Sequence, residues 1–149
     1  MAKPSSLDTL IELAQENADE AGKQLQLLST ERKNAEDQLK MLLEYRQDYA
    51  ARLQAATESG LSASNYHNFR QFIATLDEAI SQQNKVVAHI DVKMESGRQR
   101  WYAEKRRLSS FETLRTRHAR QQAVRDNRAE QLASDEMSAI MHRRVRRNH

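Results

Sequence analysis

Residues 66–111, YHNFRQFIATLDEAISQQNKVVAHIDVKMESGRQRWYAEKRRLSSF, carry an unbroken heptad. Alternating steps of three and four visit Tyr66, Phe69, Ile73, Leu76, Ile80, Gln83, Val87, Ile90, Met94, Gly97, Trp101, Glu104, Leu108 and Phe111. Eleven of these fourteen are large and apolar, in a chain only 38% hydrophobic overall. A repeat of about 3.5 residues held this long requires a helix whose apolar edge keeps facing a partner, which implies a left-handed supercoil. The expected molecule is a long rod that binds things, without an enclosed pocket.

Toward the N-terminus a second seam reads Leu7, Leu10, Ala14, Ala18, Ala21, Leu25, Leu28, Arg32, Ala35, Leu39, Leu42, Arg46, Tyr49 and Leu53. Two successive steps of four around Ala14 read as a stutter, a local unwinding. Ser5 is placed to cap this helix, with Asp8 near its positive end. Gly22 lies inside it, at about 1 kcal/mol relative to alanine. Glycine, serine and asparagine cluster in TESGLSASN, residues 57–65, where the seam loses its phase.

These signals give a single coiled-coil rod over residues 1–149, all-α. Helix 1 is expected over 5–57, a loop over 58–65 and helix 2 over 66–133, followed by a basic, frayed tail over 134–149. Long helices joined by a short loop fold back as an antiparallel helical hairpin. Aligning the seams sets Leu53 against Phe69, Tyr49 against Ile73, Leu42 against Ile80 and Leu28 against Met94. Gly97 then meets Leu25, and Trp101 meets Ala21, so that small faces large. Fifty residues of helix span about 75 Å. In this register Leu7 meets Arg115, and everything beyond is a basic C-terminal helical overhang without a partner in the chain.

Composition agrees. Of 149 residues 30% are charged, while only three are glycine and one is proline, too few breakers for a hairpin-rich or βα fold. With no cysteine, disulfides and thiolate metal sites are excluded. No apolar run approaches the roughly 20 residues of a membrane span, and MAKPSSLDTL lacks the apolar segment of a signal peptide. A cytoplasmic protein is expected, with any membrane contact made only through partners. Residues 1–97 hold ten Lys/Arg against fifteen Asp/Glu, whereas residues 98–149 hold fourteen against six.

Two features point outward from the seams. Phe72, Ala79 and Val86 recur at seven-residue spacing, each one position before a seam residue, and Tyr45 lies just off the first seam with Gln38 two turns earlier in the row. Exposed aromatic patches mark protein interfaces, although a broadened intramolecular stripe has the same pattern. The second feature is the run of arginines in the last third, among them Arg115, Arg117, Arg120, Arg125 and Arg128. A solvated face, an acidic protein partner and nucleic acid all remain open for it; no nucleic-acid reader module accompanies it, which disfavours the last. Seam residues Arg32, Arg46, Gln83 and Glu104 read as register pins. Histidines 67, 89, 118, 142 and 149 include no pair at i, i+4, so no metal site is expected. No catalytic residue, cofactor or small-molecule substrate is indicated.

QLKMLLEYRQDYAARL (38–53) and NFRQFIATLDEAI (68–80) resemble the paired segments of the flagellar export protein FliJ family. The shared patterns are Q-L-x-x-L-x-x-Y-x-x-x-Y on one helix and F-I-x-x-L-x-x-A-I on the next. A central Ser-Gly loop, a late tryptophan and an arginine-rich C-terminal part extend the likeness over most of the chain. The resemblance implies an antiparallel two-helix rod similar to the stalk subunit of rotary ATPases. It also implies a non-enzymatic part of the flagellar type III export apparatus, peripheral at the cytoplasmic side of the inner membrane. The implied partners are the hexameric flagellar export ATPase, the membrane export gate protein and export chaperones. Carried over by position, the gate-binding face is Gln38, Leu42, Tyr45, Tyr49, Phe72, Leu76 and Ala79. Gln83 continues that row as a departure, since relatives have histidine there. The stalk likeness places the basic overhang in the ATPase ring. Charge and periodicity alone also admit a nucleic-acid-binding coiled coil or a structural homo-oligomer.

Overall fold

The computed structural model describes residues 6–148. Two long helices pack against each other, α1 over Ser6–Glu58 and α2 over Ala63–Arg147, with no strand among the described residues. The Ser5 cap expected from sequence lies outside the described residues. Two compact units divide the chain: residues 18–103 form one, and residues 1–17 with 104–149 form the other.

In the unit of residues 18–103 the helices run antiparallel. Ala35, Ile90 and Met94 form a buried cluster onto which Leu28 and Val87 pack. Ile73 and Leu76 are also buried. The alignment expected from the seams holds here. Leu28 packs on the cluster that contains Met94, and the Leu25 methyl Cδ1 lies 3.4 Å from where a Cβ on Gly97 would stand. Trp101, expected opposite Ala21, comes against the adjoining Gly22. Its indole Nε1 lies 3.3 Å from the position of a Gly22 Cβ, so any side chain there would push the ring back. Close approach of Trp101 is what offsets the helix-weakening glycine.

Polar seam residues fix the register of this unit. Arg32 pairs with Asp91 across the helices and with Glu36 at 2.9 Å, while Arg46 pairs with Asp77 across the helices. The hydrogen bond that Arg32 donates to Asp91, then the charges of Asp91 and Glu36, raise its guanidinium above its ordinary range; Asp77 does the same to Arg46. Both pairs are solvent-accessible, so each adds little net stability. A sliding helix would nevertheless lose both together. Gln83 donates from Nε2 to the Ala35 carbonyl at 2.8 Å, a third polar contact across the seam.

The other unit buries Ile11, Ala14 and Leu108, with Leu7 and Phe111 packed against them. Here the structure corrects the N-terminal seam. Leu10 is 42% exposed, and Ile11 occupies the inward position instead. The seam therefore steps Leu7, Ile11, Ala14, Ala18, Ala21 in regular fours and threes, and the expected stutter is absent. Leu and Ile in adjacent positions are indistinguishable by hydrophobicity; only the phase set by the partner helix chooses between them. Glu104, in the α2 seam of this unit, leaves its Oε2 buried without a hydrogen-bond partner, which is a destabilising feature.

The turn is tighter than the expected 58–65 loop. Thr57 and Ser59 return their hydroxyls to the carbonyls of Leu53 and Ala55, at 2.7 and 3.1 Å. Gly60 then takes φ +90°, the left-handed conformation that ends many helices. Ser62 Oγ accepts the Asn65 amide at 3.3 Å, so α2 starts at Ala63 with a serine cap. At its other end α2 continues past residue 133, where the sequence expectation stopped it, to Arg147. Every residue from 112 to 148 is exposed, and Arg144, Arg146 and Arg147 lie in the last turn, favourable against the helix dipole.

Gly60→Ala places a Cβ in the left-handed region and is expected to lower unfolding free energy by about 1–2 kcal/mol, with Gly60→Asn losing less. Urea denaturation followed by far-UV circular dichroism checks both values.

Candidate protein-docking surfaces

In an antiparallel heptad pair, the position just before each first seam residue flanks the same side of both helices. On α1 that row contains Gln38, Tyr45 and Arg52; on α2 it contains Phe72, Ala79 and Val86, all within the unit of residues 18–103. Contacts between the helices agree. The Tyr49 ring lies 4.3 Å from that of Phe72, inclined by 37°, and 6.4 Å from that of Phe69. Arg52 holds its guanidinium 5.3 Å from the Tyr49 centroid, a cation–π contact. Gln83 Nε2 reaches Gln38 Oε1 at 3.3 Å, tying the far end of the row to the seam.

The residues carried over as a gate-binding face thus fall together, at different depths. Tyr45 and Phe72 are 52% and 42% exposed, and Gln38 is exposed beside them. Leu42, Tyr49 and Ala79 are half-buried. Leu76 is buried in the seam and supports the face from beneath. Tyr49 has the central mechanical role, since its stack on Phe72 holds an exposed ring in one orientation. Two further apolar residues enlarge the face. Met41, three residues after Gln38 and four before Tyr45, is exposed, as is Val86. The seven-residue recurrence pointed to Val86; the spacing around Tyr45 was the available signal for Met41.

The arginines lie in the other unit. Helical geometry brings Arg117, Arg120, Arg125 and Arg128 to one side of α2, around exposed Val124. Arg120, Arg125 and Arg128 line a shallow groove with Val124 and Gln121, and Arg117 and Arg120 line another with Glu112 and Thr116. Arg115 does not join them. It faces the opposite way, 4.0 Å from Asp8 of α1, and so belongs to the packing of the helices. The four-arginine side is a ready surface for carboxylates, since guanidinium forks match them bidentately. Neither surface encloses a cavity suited to catalysis.

Comparison with known proteins supplies the context. A family model described as "Flagellar FliJ protein" matches residues 3–147. The flagellar FliJ protein of Salmonella typhi is 31% identical over 138 residues, covering 93% of this chain and 94% of the relative. That of Escherichia coli strain K12 is 30% identical over the same length and coverage.

Proposed function

The chain belongs to the flagellar FliJ protein family, a component of flagellar export and not an enzyme, and on that premise we propose that it couples two larger parts of the export apparatus. Its aromatic face docks on the membrane export gate protein, and its arginine side docks on the export ATPase hexamer. Handling of export chaperones belongs to the same reading. The observation that carries it is the pair Tyr45 and Phe72, two large rings exposed on one side of the hairpin, with exposed Met41 and Val86 enlarging the same face.

Physical reasons favour this assignment of roles. Exposed aromatics held rigid before binding lose little conformational freedom on docking, so their burial translates into affinity. Arginines spaced over several turns of an unpartnered helix instead supply long-range attraction and fast association with an acidic surface. No helix of the described residues is long and apolar enough to cross a membrane, so in this reading attachment to the membrane runs through the gate.

The Tyr45→Ala, Phe72→Ala double variant is expected to keep its helical circular dichroism while its affinity for the purified gate domain falls by at least about 2 kcal/mol, roughly thirtyfold. Retained affinity, or a melted helix, would show that the face has been misassigned. For the second surface, Arg125→Glu with Arg128→Glu should weaken ATPase binding about tenfold and flatten its salt dependence. Binding that stays the same at low salt counts against docking through these arginines.

A further inference from the structure

The α2 row that carries Phe72, Ala79 and Val86 continues at the same seven-residue spacing to Lys93 and Arg100. Along α2 that row therefore changes from aromatic to basic, while on α1 the same side runs Tyr45, Gln38, Glu31 and Gln24. At the basic end a solvent-open cleft of about 470 Å³ lies between the helices. Ala21 and Gly97 form its floor: Ala21 is buried, and Leu25 and Leu28 already pack over Gly97. Leu28 and Val92 contribute apolar walls, Val92 being 68% exposed, and Lys93 and Arg100 line it without any acidic residue.

We propose that this cleft is a second docking site, which takes an acidic amphipathic helix of a protein partner as a third strand against the hairpin. The lining residues sit at helical repeats on both sides: Ala21, Gln24 and Leu28 on α1, and Lys93, Gly97 and Arg100 on α2. An occupant that follows both rows runs parallel to them, and a helix does so with its own repeat. Lys93 and Arg100 are seven residues apart, about 10 Å along the axis. The complementary ligand bears two carboxylates at that separation, with a large apolar side chain between them to pack on Leu28 and exposed Val92. Opposite charge steers the ligand to the cleft, and burial of that apolar side chain gives the affinity. The site is independent of the aromatic face, which lies nearer the turn.

The test uses the full chain and a synthetic, fluorescein-labelled helical peptide carrying Glu-x-x-Leu-x-x-x-Glu, followed by fluorescence anisotropy. Saturable binding is expected, weakened by at least about tenfold in the Lys93→Glu, Arg100→Glu double variant. A companion peptide with lysines for the glutamates should bind that variant and not the original chain. Replacing the peptide leucine by alanine should also abolish binding. The Phe72→Ala variant should bind the peptide normally, and the charge-reversed variant should still bind the gate domain, which separates this site from the aromatic one. No saturable binding, equal binding of the lysine peptide, or indifference to the leucine would each overturn the proposal. Lys93 and Arg100 are exposed, so their reversal leaves folding intact, and circular dichroism verifies that.

Discussion

One apolar edge on each helix, buried against the other, is the constraint on which the remaining features depend. A helix alone in water is marginal, and a chain so rich in charge has no other apolar surface large enough to hold it. Within each unit the match is small against large: Ala14 with Leu108 in one, and Ala35 with Ile90 and Met94 in the other. Alanine on α1 lets the backbones approach, and the bulky partner on α2 fills what remains. Matching small residues to large ones favours this register over its heptad-shifted alternatives, and Arg32 with Asp91, Arg46 with Asp77, and Gln83 with the Ala35 carbonyl reinforce it.

Function follows from what the seam leaves over. Seam positions are consumed internally, so the chain presents partners with the flanking rows. On the α2 row Phe72 occupies one stretch and the cations Lys93 and Arg100 another, with Tyr49 linking buried seam to exposed Phe72. A rigid support of that sort makes a docking surface in advance of its ligand. The arginines of α2 are supported differently, by one continuous helix that lies exposed from residue 112 onward. There the surface is long and charged, suited to a partner with distributed carboxylates.

Much of this was legible in the sequence because heptad phase is geometric. Once residues 66–111 are phased, the hairpin, its alignment and the placement of Tyr45 and Phe72 on one side follow. What escaped did so for identifiable reasons. Leu10 and Ile11 differ in burial through phase alone, which an alanine-rich stretch defines poorly. Ser62 looked like loop, yet its hydroxyl caps α2 and shortens the turn. The helix past residue 133 lacks a seam, so periodicity does not mark it, although Met137, Ile140, Met141 and the terminal arginines are compatible with helix. Leu76 entered the docking face by analogy of position, without regard to its depth. Arg115 was grouped with its neighbours by charge, whereas helical rotation turns it toward Asp8.

The central claim is that the two helices of a single chain pack antiparallel in this register. Gln24 and Ser96 line the same cleft from opposite helices and stand outside the seam. Spin labels on Gln24→Cys and Ser96→Cys, in a chain otherwise free of cysteine, report that separation by electron paramagnetic resonance. Helices in contact predict a label distance below about 20 Å, unchanged when labelled protein is diluted with unlabelled chain. A distance beyond roughly 30 Å, or one that vanishes on dilution, would contradict packing within one chain.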